Sequence, residues 1–205
     1  MKKIRAIGFD WVGVIFKYPG GSFSSLAADF LGVENEQFHR VYSLYNHMVN
    51  KGTQGYEEAI EMWRLVLSNL GKINELDRFV EFIRSRPEGI VDQDVLDLIK
   101  KLRAAGWKIG LFSNHSLKGA QAFRKQSCAK LFDAALFSSE VGCMKPEPEA
   151  FKKLAEALKI PVTELIYIDD NERCLSTAKQ VGYLPVLFKD MKTLEDQLRM
   201  LGVNW

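Results

Sequence analysis

The sequence is short of the features that would assign its class at a glance. Its 205 residues include only three cysteines, Cys128, Cys143 and Cys174. That number is odd and no CxxC spacing occurs, which argues against a disulfide framework or a zinc site and for reduced, mostly buried thiols. There is no charge of one sign in excess: 28 Lys and Arg stand against 26 Asp and Glu. A nucleic-acid binder usually shows a basic surplus on one face, so the near balance does not suggest that class. The small basic cluster Lys2, Lys3, Arg5 reads as a polar lead-in to a strand. No apolar run approaches the ~20 residues of a membrane span. Asp10 interrupts the first apolar stretch too early for a signal peptide. A soluble, cytoplasmic protein without a membrane or nucleic-acid partner is expected. Repeats and low-complexity tracts are absent.

What is present is a regular alternation. Ile4 to Phe9 is short, apolar and β-prone, and it ends at Asp10 and runs into Gly13. From about Gly20 to Arg86 the apolar residues recur at spacings of three and four, in stripes such as Phe38, Val41, Tyr42, Tyr45 and Leu76, Phe79, Val80, Ile83. That periodicity predicts helices and no strand. After Pro87, strands are expected at Lys108–Phe112, Ala134–Phe137, Leu165–Ile168 and Pro185–Phe188, with a helix between each and the next. One of these helices is expected to run from Glu172 to Val181. Strand and helix in alternation predict an α/β fold, a Rossmann-like parallel sheet with helices on both faces. The expected division is an α/β core of residues 1–16 and 87–205, with residues 17–86 inserted after the first strand as a small helical-bundle cap.

Four polar groups stand at or just beyond strand ends: Asp10, Ser113, Lys145 and the pair Asp169–Asp170. In an open α/β sheet the carboxyl ends of the strands share one edge, where ligands bind. Groups far apart in sequence thus converge. Any one of them has a plainer reading, as a turn or helix cap or a solvated lysine; their joint placement is the specific signal.

The stretches IGFDWVGVIF, LFSN, VGCMKPEPEAF and IYIDDNERCLSTAKQVG carry a resemblance. In order and spacing the chain resembles the haloacid dehalogenase-like hydrolase superfamily, and within it the cap-bearing phosphatases. The resemblance implies a small-molecule substrate, a phosphate ester, in a monomer or homodimer. It implies Asp10 as a covalent nucleophile forming an aspartyl-phosphate, which splits one hard displacement into two easier ones. It implies Mg²⁺ held by Asp10, Asp169 and the backbone carbonyl of Val12, with oxygen ligands of the kind that ion prefers. Asp170 would be a further ligand or would orient Lys145. Lys145, Ser113 and the backbone N–H of Asn114 would hold the phosphoryl group, the last two where a strand turns into a helix. Arg40, His47, Trp63 and Arg64 in the insert are candidates to face the substrate.

One position departs from the pattern. Most phosphatases of this superfamily carry a second aspartate two residues after the nucleophile; here it is Val12, which cannot transfer a proton. A missing general acid or base costs roughly 10²–10⁴-fold. Three readings follow: a phosphatase with another proton source, for which His47 and His115 are the candidates; a 2-haloacid dehalogenase, which needs no acid because halide leaves unprotonated and needs no metal; or a binding or regulatory protein on a hydrolase scaffold.

Overall fold

A computed structural model describes residues 3–205; Met1 and Lys2, the latter part of the basic lead-in, lie outside the described residues. The strands are β1 (Ala6–Phe9), β2 (Phe16–Lys17), β3 (Ile90–Val91), β4 (Lys108–Ser113), β5 (Ala134–Phe137), β6 (Leu165–Asp169) and β7 (Leu184–Leu187). Five of them form one parallel sheet in the order β5-β4-β1-β6-β7.

Alternation along these strands builds two cores. Ile7, Phe9, Ile109, Leu111, Ile166 and Ile168 point to one face. There they meet α6 (Gln93–Ala104), α7 (Leu117–Arg124) and α11 (Met191–Met200) through residues such as Leu98, Phe123 and Leu194. Ala6, Phe112, Leu165 and Tyr167 point to the other, against α8 (Ser138–Val141), α9 (Pro148–Ala157) and α10 (Ala178–Val181). Both faces are covered, as a parallel sheet requires. Burying each Leu or Ile in this way contributes roughly 1.5–3 kcal/mol. Gly8 and Gly110 are register partners. A Cβ at Gly8 would lie 3.0 Å from Leu154 and one at Gly110 2.8 Å from Leu158, so α9 can approach the sheet this closely only over glycine.

The chain starts at the central strand, lays β4 and β5 to one side, then returns to place β6 and β7 on the other. The reversal beside β1 is the switch point at which such sheets open a crevice. Register decides what lines it. Phe9 pairs with Leu111 and with Ile168, so Asp10, Ser113 and Asp169 emerge close together at the same edge.

One local expectation is corrected, and one strand pairing is added to what the sequence predicts. Glu172 to Val181 is not one helix: a 3₁₀ turn at Glu172–Leu175 is separated from α10. The Asn171 side chain caps the turn at Arg173 N–H, and Thr177 Oγ1 donates to the Pro146 carbonyl at 2.7 Å. The added pairing is antiparallel, between β2 and β3, Phe16 with Val91 and Lys17 with Ile90. Strands this short have no readable period. They bring together the entry and exit of the helices between them: α1 (Phe23–Leu31), α2 (Asn35–Tyr45), α3 (His47–Asn50), α4 (Ile60–Asn69) and α5 (Leu76–Arg84). These helices share their own core, centred on Phe38, Met62, Trp63 and Phe79. No helix among the described residues is long and apolar enough to cross a membrane.

Candidate active site

At the switch point Lys145 lies between two carboxylates. Its Nζ is 2.5 Å from Asp169 Oδ2 and 2.9 Å from Asp10 Oδ1, and only 2% of the lysine is exposed. Asp10 follows β1 directly; Trp11 N–H donates to its Oδ1 at 2.7 Å, which with Lys145 fixes the rotation of the carboxylate. Asp169 ends β6, and Asn171 N–H donates to its Oδ1 at 2.9 Å. The lysine is anchored at its backbone by Asn114, whose side chain donates to the Lys145 carbonyl and accepts from the Lys145 N–H, both at 2.8 Å. Two strand ends and one loop are thus locked around a single ammonium.

Asp170 adds a third carboxylate. One oxygen from each of Asp10, Asp169 and Asp170 lies within 4.8 Å of the others. Burial pushes the Asp10 carboxyl up to about 7, opposed by Lys145 and reinforced by Asp169 and Asp170. Burial and then Asp169 raise Asp170 to about 6. Burial would lower the Lys145 ammonium, but Asp10 and Asp169 outweigh it and hold its pKa well above the ordinary value. Three carboxylates against one ammonium is an unbalanced group, with Asp10, Asp169 and Lys145 buried and Asp170 exposed at its edge. The set fits a small, hard dication such as Mg²⁺, which takes oxygen ligands. Gly13 makes room for the Asp170 carboxylate: φ is +96°, and a Cβ there would fall 2.2 Å from Asp170 Oδ2.

A cavity of about 460 Å³ opens over this cluster, lined by Asp10, Val12, Ser113, Asn114, Lys145, Asp169 and Asp170. It thus brings together seven of the positions singled out from sequence. Ser113 is buried at the end of β4, but α7 begins only at Leu117 and is capped by Ser116, whose Oγ accepts from Gly119 N–H. The expected strand-to-helix phosphate corner at Ser113–Asn114 is therefore three residues short of the helix.

Other expectations are not met by position. Arg40 and His47 are exposed and do not line the cavity. Trp63 is fully buried in the core of the helical segment, with its indole N–H given to the Tyr56 carbonyl. Arg64 is an exposed residue paired with Glu61 at 3.6 Å. The His115 ring packs on Gly119, where a Cβ would come within 2.1 Å of it, and its Nδ1 accepts from Ser116 N–H. It lines a neighbouring cavity rather than the carboxylate one. Burial lowers its pKa to about 4.

Sequence reasoning missed several residues here. His39 and Arg173 line the carboxylate cavity and contact each other at 2.6 Å, joining α2 to the loop after β6. Tyr42 and Tyr56 close it from the helical side, with Tyr56 OH donating to Asn50 at 2.6 Å. The side-chain role of Asn114 had no signal beyond its place next to Ser113.

Known proteins resemble this chain to different degrees. A phosphatase of Mycobacterium tuberculosis is 24% identical over 165 residues, which are 80% of this chain and 66% of that protein. A phosphoglycolate phosphatase of Cereibacter sphaeroides is 32% identical over 93 residues, 45% of this chain and 42% of that protein. Among solved structures, an L-2-haloacid dehalogenase superposes with a TM-score of 0.63 at 15% identity, covering 91% of this chain and 86% of that one. A HAD family enzyme of Bacteroides thetaiotaomicron, crystallised with magnesium and inorganic phosphate, superposes with a TM-score of 0.61 at 21% identity, covering 93% and 98%. At such identities the superpositions speak for the fold alone. The sequence of residues 4–182 matches the haloacid dehalogenase-like hydrolase family model, nearly the whole chain, and the protein belongs to that family of hydrolases.

Proposed function

We propose that the protein is a magnesium-dependent phosphatase acting on a small phosphorylated metabolite, with Asp10 as nucleophile. One observation carries this reading: Asp10, Asp169 and Asp170 converge within 4.8 Å of one another around a buried lysine. A displacement that needed no metal would have little use for the third carboxylate. Bound Mg²⁺ would offset the negative charge of the phosphoryl oxygens so that an anionic nucleophile can approach.

The chain's own groups do the rest. Lys145 and the Trp11 N–H hold Asp10 in one orientation. An Asp10 oxygen forms the bond to phosphorus as the ester oxygen leaves with its electron pair; water then cleaves the aspartyl-phosphate, returning the carboxylate and releasing phosphate. Lys145 and Ser113 bind the phosphoryl oxygens, and α1–α5 act as a lid that excludes bulk water. Val12 supplies no proton, so substrates whose leaving group is stable as an anion, such as acyl phosphates or sugar 1-phosphates, are favoured.

A phosphate-release screen over sugar, nucleotide and acyl phosphates tests this. Release should require Mg²⁺, stop with EDTA and vanish in Asp10→Asn. Val12 also suits a dehalogenase, because halide leaves without a proton. Halide release from 2-haloacids that is indifferent to EDTA would replace the phosphatase reading with that one.

A further inference from the structure

A second cavity of about 670 Å³ adjoins the carboxylate one. The two share Val12, Ser24, Tyr42, Tyr56 and Asn114 as walls. The larger is walled by aromatic rings, Trp11, Phe16, Tyr18, Phe23 and Phe123 among them. Its volume lies in the range of pockets that enclose ligands of ten or more heavy atoms. A leaving group of two or three carbons would leave most of it unfilled.

Arg86, just after α5, reaches into this apolar space. Its guanidinium carbon lies 4.3 Å from the centre of the Tyr18 ring and 4.9 Å from that of Phe23. Stacking on two rings stabilises the cation in part. It does not satisfy the donors: Nη2 is buried and has no hydrogen-bond partner. A buried donor without a partner costs about 1–3 kcal/mol, more when charged, and calls for an explanation. No carboxylate is paired with Arg86 among the described residues. Two carboxylates line the cavity: Glu57 is engaged by Lys118, the other cation of the wall, and Glu88 is exposed and makes no ion pair with Arg86. One unmatched guanidinium in an aromatic cage is complementary to a planar monoanion carried on an apolar body.

We propose that this cavity is a leaving-group subsite and that Arg86 binds a carboxylate at the far end of a substrate with an aromatic or hydrocarbon body. A carboxylate fits better than a second phosphate, whose double charge would exceed the single unpaired cation. The identification as a leaving-group site rests on the phosphatase reading; the carboxylate subsite itself does not.

Calorimetry on the intact protein separates the two. The probes are naphthalene carboxylate, naphthalenemethanol as its uncharged counterpart, and naphthyl phosphonate. The carboxylate should bind wild type and Asp10→Asn alike and bind Arg86→Gln about tenfold or more weakly, on the scale of a charged hydrogen bond. Arg86→Lys should fall between, and the alcohol should change less than about twofold, since its contacts are apolar. Thermal melts of both variants check that they fold. Equal weakening of carboxylate and alcohol would reduce Arg86 to a structural role and overturn the proposal, as would no carboxylate binding, or binding displaced by inorganic phosphate with Mg²⁺. Tighter binding of the phosphonate than of the carboxylate would overturn the choice of carboxylate. If the binding results hold while no phosphate ester is turned over, the phosphatase reading fails and the subsite stands. If turnover occurs, phosphate monoesters with an aryl carboxylate should outpace phenyl phosphate in wild type and lose that advantage in Arg86→Gln.

Discussion

The Asp170 carboxylate occupies the place where a side chain on residue 13 would be, with Oδ2 2.2 Å from the position of a Gly13 Cβ. The turn after the nucleophile and the end of β6 are thereby fitted to one another. Gly13→Ala must move Asp170 and must also hold φ near +96° with a Cβ. The backbone part of that cost is of order 1–3 kcal/mol. Gly21→Ala is the control, since φ is +118° there and nothing lies within 4 Å. Gly13→Ala should lower the unfolding free energy more than Gly21→Ala and should raise the Mg²⁺ concentration needed for half-maximal activity; Gly21→Ala should leave the latter unchanged. Equal effects on both readouts would mean that contact with Asp170 has no role in metal binding.

Lys145→Met removes the one ammonium shared by Asp10 and Asp169. Breaking a buried ion pair from one side costs about 3–5 kcal/mol, because the remaining charges are left without compensation. The metal-free variant should therefore melt well below wild type. Bound cation should restore part of the loss, since it now offsets more unbalanced charge, and ligand binding to the native state stabilises by mass action. The measurement is the rise in melting temperature on adding Mg²⁺, expected to be larger in the variant. A smaller rise would show that Lys145 helps to hold the metal site together rather than competing with it for charge.

His115 gives a pH dependence with a definite sign. Its ring is enclosed and its pKa falls from 6.5 to about 4. Below pH 6.5 the unfolded chain takes up a proton that the folded protein refuses. Stability therefore falls as pH drops from about 6.5 to 4, by at most ~3 kcal/mol from this group, and is unaffected above that window. Denaturant midpoints followed from pH 7.5 to 4.5 should decline less steeply in His115→Gln than in wild type. Parallel curves would contradict the assignment of a buried neutral ring.

These residues were not equally legible in the sequence. Asp10, Ser113 and Asp169 could be placed because a buried strand must end at one edge, and its last polar residue is visible against an apolar run. The helical segment could be recognised as helical, but its inward face could not. In α2 the buried positions Phe38 and Tyr42 fix the helix phase, yet several sectors of the polar face remain open. His39 lands on the carboxylate cavity while Arg40, one residue and about 100° further round, lands in solvent. Arg86 was invisible for a different reason. It lies between a helix and a strand of two residues, where no period operates, and only the rings of Tyr18 and Phe23 from across the chain give it a role.

Val12 is the position where new chemistry can be installed. It lies two residues beyond Asp10 and lines both cavities, so a carboxylate there would face the bond between phosphoryl and leaving group. If a proton donor is what the site lacks, Val12→Asp should speed substrates with poor leaving groups by roughly 10²-fold, the lower end of general acid catalysis. Substrates with good leaving groups should gain little in the first step. The plot of log kcat/KM against leaving-group pKa should thus become shallower in the variant. The added charge also stands near Asp10, Asp169 and Asp170, so Mg²⁺ must be saturating when rates are compared. An unchanged slope at saturating Mg²⁺ would mean that the proton already comes from elsewhere, and His39, on the wall of the same cavity, would be the next residue to replace.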